Sequence, residues 1–131
     1  MPYGSILADT LQSSTAGTPP VFKDGNGTTT GMLCRAWVSF NGGSSATIYA
    51  SFNVSSVTYN GTGDYTITFT NAMTDINYCV AGVCGNQNNT ADPGDGNWRT
   101  KVFTTTTLRA VDKYNGSAGK DDVYNALAIF R

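Results

Sequence analysis

No histidine stands anywhere in this chain, and every acidic side chain is an aspartate. The groups left to do chemistry are three cysteines (Cys34, Cys79 and Cys84), the aspartates, and a few lysines and arginines. A histidine-based triad is therefore impossible. An odd cysteine count does not make a disulfide framework, and a structural zinc site usually takes four ligands. The three cysteines read as free thiols buried in strands, where thiols pack as small hydrophobes. Carboxylate pairs of the kind that hydrolyse glycosides are the remaining catalytic option. The close pairs are Asp92 with Asp95 and Asp121 with Asp122. Both sit in glycine-rich turn regions, where aspartate bonds to nearby backbone. The run Asp92-Pro93-Gly94-Asp95-Gly96-Asn97 resembles part of a calcium loop. It lacks the alternating ligands and the closing glutamate of an EF-hand. The sequence thus points to no catalytic residue, no metal site and no cofactor.

Aromatic rings beside amides and charged groups offer a different chemistry: a ring stacks on a sugar while polar neighbours bond its hydroxyls. Asn86, Gln87, Asn97, Trp98, Arg99 and Tyr114 lie in or beside the long polar loops. Loops on a rigid scaffold are where binding residues concentrate. These six are candidate glycan- or receptor-binding residues. The competing reading has Trp98 opening a strand and covering the core.

The elements that must position these groups are strands. Charged residues make up only 13% of the chain, and threonine, serine, asparagine, glycine and tyrosine fill it. That composition favours sheet and turn over helix. The organising stretch is Cys34–Thr70, where apolar and polar residues alternate between glycine-rich turns, the period of a strand with one buried face. Asn60-Gly61-Thr62-Gly63 separates two such runs and is the clearest hairpin signal. Residues 32–40 place Cys34, Ala36, Val38 and Phe40 on one side. Leu33, Arg35, Trp37 and Ser39 take the other, and neither side is wholly polar. Burial on both faces is expected there, with Trp37 in a core or an interface. A loop at Asn41–Ser45 leads to a strand over Ala46–Phe52. Asn53–Ser56 reads as a turn or bulge before Val57–Tyr59. Asp64–Thr70 puts Tyr65, Ile67 and Phe69 on one face and three threonines on the other.

Beyond Asn71–Asn77, a connector, the run Tyr78–Cys84 reads as a central strand. Residues 85–97 form the longest polar loop. Trp98–Val111 makes one or two strands with Val102, Thr104, Thr106 and Leu108 in phase. Asp112–Lys120 reads as a polar turn region, and the closing segment as a last strand, Asn125–Arg131. About seven or eight strands with frequent turns predict an antiparallel β-sandwich, jelly-roll-like, over residues 31–131.

Residues 1–30 differ. Prolines and glycines break any pattern, and the segment cannot build its own core. It reads as an extended N-terminal arm for attachment or oligomerisation, with Ile6, Leu7, Leu11, Val21 and Phe22 as docking anchors. Asp24-Gly25 and Asn26-Gly27 mark a turn. A net charge of −1 with no basic patch argues against nucleic acid as a partner. No apolar run is long enough for a membrane helix. The opening residues lack the basic and apolar regions of a secretory signal. Matches to the glycosylation acceptor pattern, such as those at Asn53, Asn60, Asn88 and Asn115, are of the kind chance produces in such a composition.

The segments CRAWVSFNG (Cys34–Gly42) and SFNVSSVTYNGTGDYTITFTNAM (Ser51–Met73) resemble a module of tailed-bacteriophage fibre proteins, common in phages of marine bacteria and cyanobacteria. The opening MPYG and the Leu11–Gly31 run are similar to the start of small virion proteins of this type. Beyond about residue 80 the resemblance is loose. It implies a structural virion component, a tail fibre or fibre-tip protein assembled in the host cytoplasm, homotrimeric, engaged in host attachment, and not an enzyme. On this expectation the arm binds other virion proteins and sister chains. Small domains gain by burying strand edges against identical copies. Two alternatives share the scaffold: a host-surface glycan-binding module, and an architectural capsid or tail decoration protein without a ligand.

Overall fold

The computed structural model describes residues 20–85, 96–114 and 118–131, together with Ala8, Thr10–Gln12 and Ser14. The expected anchors Ile6 and Leu7, the loop residues Asn86 and Gln87, and the Asp92–Asp95 pair lie outside them. All described elements are strands; no described residue is helical. The chain divides into two compact units, Met1–Leu33 and Cys34–Arg131.

In the first unit, β1 (Val21–Lys23) pairs antiparallel with β2 (Thr29–Met32). The turn between them is the one that Asp24-Gly25 and Asn26-Gly27 announce. Asp24 Oδ1 accepts the backbone N–H groups of Asn26 and Thr28, both at 2.9 Å. Gly27 takes φ +83°, a conformation that favours glycine. The described end of the arm is thus a small hairpin, not a simply extended segment. Val21 and Phe22 are exposed on it, and so is Leu11 ahead of it.

The second unit is an antiparallel β-sandwich. One sheet has the order β4-β3-β11-β7, from Ile48–Phe52, Cys34–Phe40, Tyr124–Phe130 and Cys79–Gly85. In the other, β6 (Asp64–Phe69) pairs with β5 (Val54–Gly61) and β9 (Thr107–Tyr114). β9 also pairs with β8 (Gly96–Phe103) and the two-residue β10 (Ala118–Gly119). The core is the set of inward positions that alternation predicts: Ala36, Val38 and Phe40 from β3, Tyr65, Ile67 and Phe69 from β6, Leu127 and Ile129 from β11. Leu108 and Ala110 of β9 belong to it, as do Ala46, Val54, Met73 and Tyr78.

The chain changes sheets at Asn53, between β4 and β5. Its φ of +55° is one that asparagine tolerates better than most residues. Its side chain fastens the corner: Nδ2 donates to the Arg35 and Asn71 carbonyls, and Oδ1 accepts the Asn71 N–H at 2.7 Å. The expected turn or bulge at Asn53–Ser56 is this corner plus a bulge inside β5.

Three expectations need correction. The apolar run after Tyr78 is not a central strand. β7 is the edge of its sheet, and most of its residues are exposed. Val102, Thr104, Thr106 and Leu108 are not one phased set, because β8 and β9 are separate strands joined at Thr104–Thr106. A bulge between Thr100 and Val102 leaves Val102 45% exposed while Leu108 is fully buried. Asp112 is no turn residue. It continues the inward series Leu108, Ala110, Asp112 along β9 and is fully buried.

Candidate functional site

The two outer faces of the sandwich differ in chemistry. On the sheet carrying β5, β6, β8 and β9, outward positions hold Ser56, Thr58, Thr66, Thr68, Thr107 and Arg109. Arg109 makes a two-point ion pair with Asp64, at 2.8 and 2.9 Å, and Lys101 approaches the same carboxylate at 3.5 Å. The Arg109 hydrogen bonds hold the Asp64 carboxyl below the usual carboxylate range. This face is a solvated surface.

The opposite face, on β4-β3-β11-β7, is largely apolar, with Arg35 and Ser39 sharing the outward parity of Trp37 on β3. Register places Phe52, Trp37, Ala128 and Ala81 in one row across the four strands. Ala50, Ser39, Ala126 and Val83 form the next row. Phe130 and Cys79 extend it at one end. At the other end a bulge in β4 frees Tyr49 to stack on Tyr124, with ring centroids 6.4 Å apart. Phe52 is 54% exposed, Val83 63%, and Trp37 and Phe130 39% each. Trp37 is therefore not core within its own chain. The half-apolar second side of β3 belongs to a continuous outward patch. Cys79 is exposed on it, and Cys34 and Cys84 are half-buried, so the cysteines are free but not all buried.

At the seam between the sheets, where β7 faces β8, lies a cleft of about 520 Å³ lined by Val80, Gly82, Trp98, Arg99, Thr100, Ala110 and Leu127. The Trp98 indole is half-buried, with its ring 6.2 Å from Phe40 and 5.9 Å from Tyr65. Its N–H donates to the Val83 carbonyl at 3.0 Å. Trp98 thus closes the end of the core and at the same time walls the cleft. Arg99 is exposed beside it. Asn97 and Tyr114 lie on the same β8–β9 ladder, in the pairs Asn97↔Lys113 and Gly96↔Tyr114. The ladder brings four of the six candidate binding residues to one end of one sheet.

A polar centre lies inside the sandwich near that end. Asp121 is not bonded to its own turn. Its Oδ1 accepts the Gly63 N–H at 2.7 Å and lies 2.8 Å from the Tyr65 hydroxyl; its Oδ2 takes a hydrogen bond from Tyr59 at 3.0 Å. The tip of the β5–β6 hairpin is bound to the 118–122 segment in this way. Gly63, at φ +67°, passes so close to Asp112 and Lys120 that a side chain would collide with their backbone. Asp122 is buried as well. Its Oδ1 meets the Lys120 ammonium at 3.1 Å, and its carbonyl accepts from Asn125 Nδ2 at 2.6 Å. Asp112 Oδ1 accepts from the Cys84 thiol at 3.3 Å. Burial, reinforced by Asp122, pushes the Asp112 carboxyl up to about 6. Burial and Asp112 push the Cys84 thiol up to about 12. Burial also raises the Tyr65 hydroxyl.

No protein-family model, no curated protein and no solved structure matches this chain.

The sequence reading placed Asp121 and Asp122 in a local turn and passed over Asp112. One signal was present: Leu108, Ala110 and Asp112 share a parity, so a continued strand aims the carboxylate inward. The partners of Asp121 are invisible in sequence, because Tyr59, Gly63 and Tyr65 are brought to it only by the fold.

Proposed function

We propose that this chain is a structural virion component of a tailed phage, a fibre or fibre-tip protein that acts as a homo-oligomer, most simply a trimer, and contributes to host attachment. The observation that carries the oligomer is the apolar outer face around Trp37 and Phe52. Soluble monomers seldom expose a continuous patch that joins several large apolar side chains across a whole sheet. The other face is threonine-rich and charged, so the asymmetry lies between the faces and is not general to the surface. A second copy of the chain is a fitting cover. Alanines in the middle of the patch let a partner sheet approach closely, and large side chains at its ends fill the spaces beside them. The phage assignment rests on the resemblance carried by Cys34–Gly42 and Ser51–Met73. In this reading the N-terminal arm joins the module to other virion proteins, and no catalysis is involved.

The particle mass of the purified chain and of the Trp37→Asp variant tests the proposal. The native chain is expected as an oligomer and the variant as smaller, folded particles. Equal monomer masses contradict it.

The glycan-binding alternative has one observation in its favour, the cleft walled by Trp98 with Arg99 at its rim. Because Trp98 also supports the core, Arg99→Ala is the variant to use. Purified protein that blocks phage adsorption, with Arg99→Ala failing to block, supports a binder. Absence of blocking supports an architectural decoration protein without ligand.

A further inference from the structure

We propose that Cys84, Asp112 and Asp122 hold a divalent cation of the zinc class, a structural site closing the polar end of the sandwich. The three side chains come from three places: the end of β7, the inward face of β9, and the segment before β11. One ligand atom from each lies within 4.8 Å of the others. Asp112 and Asp122 are 0% and 2% exposed, so this is an interior group and not an acidic surface patch.

A second observation is a set of buried oxygens without a partner. Asp112 Oδ2 and Asp122 Oδ2 have no hydrogen-bond partner, and neither has Asn125 Oδ1, all three being buried. Buried polar atoms are normally satisfied. Asn125 is independent of the acidic pair in chemistry, since an amide oxygen does not adapt by protonation. It stands directly across from Cys84 in the β7–β11 ladder and is fully buried, so it shares the inward face with the thiol.

Charge counting gives the same answer. Two carboxylates facing one ammonium, Lys120, leave the group one negative charge in excess. A divalent ion that displaces the thiol proton to solvent brings the total to zero: two carboxylates and one thiolate against Lys120 and the metal. Lys120 already occupies Asp122 Oδ1, which leaves Oδ2 for the ion. The sulfur makes a d¹⁰ metal a better match than calcium or magnesium, which prefer oxygen. The spacing also suits it. Zinc–ligand lengths at a tetrahedral angle put sulfur and oxygen about 3.6 Å apart, close to the 3.3 Å between Cys84 Sγ and Asp112 Oδ1. The expectation of no metal looked to the Asp92–Asn97 loop and the missing histidines. The fold gathers a different set of ligands.

The test uses the full chain, folded with zinc in excess, desalted and measured for metal content, and in parallel titrated with Co²⁺. The site predicts about one zinc per chain and a thiolate-to-cobalt charge-transfer band. Both are lost in Cys84→Ser and in Asp122→Asn. Zinc removal by a chelator is expected to lower Tm by about 5 °C or more. Wild-type protein that retains no zinc and gives no thiolate band overturns the proposal, and this readout does not depend on the variants folding. Zinc retained equally by wild type and Cys84→Ser also overturns it. Where no zinc is retained, the carboxylate pair shares a proton instead. None of these results bears on whether the chain is an oligomer or a virion protein.

Discussion

Asp121 shows how one side chain can hold a fold that its neighbours in sequence do not explain. It accepts from the Gly63 N–H and the Tyr59 hydroxyl and lies against the Tyr65 hydroxyl, all on the β5–β6 hairpin 56 to 62 residues away in sequence. Asp121→Ala leaves the Gly63 N–H and the Tyr59 hydroxyl without this acceptor. Each unsatisfied donor costs about 1–3 kcal/mol, and solvent can reach the Tyr59 hydroxyl in part. The variant is expected to lose about 2–4 kcal/mol, read as a lower urea midpoint at unchanged m value. A loss under about 0.5 kcal/mol, the usual range for a plain surface substitution, contradicts the assignment. Gly63 answers to the same geometry. Its positive φ and its approach to Asp112 and Lys120 leave no room for Cβ, so Gly63→Ala is expected to destabilise the protein as well.

At the scale of elements, the Asp64–Arg109 pair ties β6 to β9 on the polar face. The folded Asp64 carboxyl titrates below its unfolded value because Arg109 bonds to the charged form. Its contribution is therefore fully present above the unfolded value, near pH 4, and is lost as pH falls through the folded one. Thermal melts of wild type and Asp64→Asn are expected to differ at pH 7 and to converge as pH falls through the lowered folded value. A constant difference across that range contradicts it. The hairpin that carries Asp64 was also the part of the chain most legible in sequence. Asn60-Gly61 marks the turn, and Tyr65, Ile67 and Phe69 alternate without interruption, as the structure confirms. β7 was not legible in the same way. Its apolar run reads as central because apolarity alone does not separate burial in a chain's own core from placement on an apolar outer face. The phase across β8 and β9 was lost for a local reason: a bulge and a turn each shift the alternation, and neither carries a glycine or proline to announce it. Asp112 was hidden by its charge, since a lone aspartate in a polar stretch is ordinarily a surface or turn residue.

For the whole molecule, the proposed oligomer follows from two outer faces of unlike chemistry. One outer face is threonine-rich and charged, and the other exposes Trp37, Phe52, Val83 and Phe130. On the proposed reading, charged substitution on the apolar face removes association while leaving the inward-facing core intact. Trp37→Asp or Val83→Asp is expected to weaken self-association by at least about 30-fold, the equivalent of about 2 kcal/mol at an interface hot spot. Its far-UV spectrum is expected to match that of wild type. Equal self-association of wild type and both variants would mean that the patch plays no part in assembly.

The most direct measurement is sedimentation equilibrium of the purified full chain at micromolar concentration. The account predicts a homogeneous species of three 13.8 kDa chains, about 41 kDa in all. A folded, stable species of 13.8 kDa, unchanged as concentration rises, would contradict it.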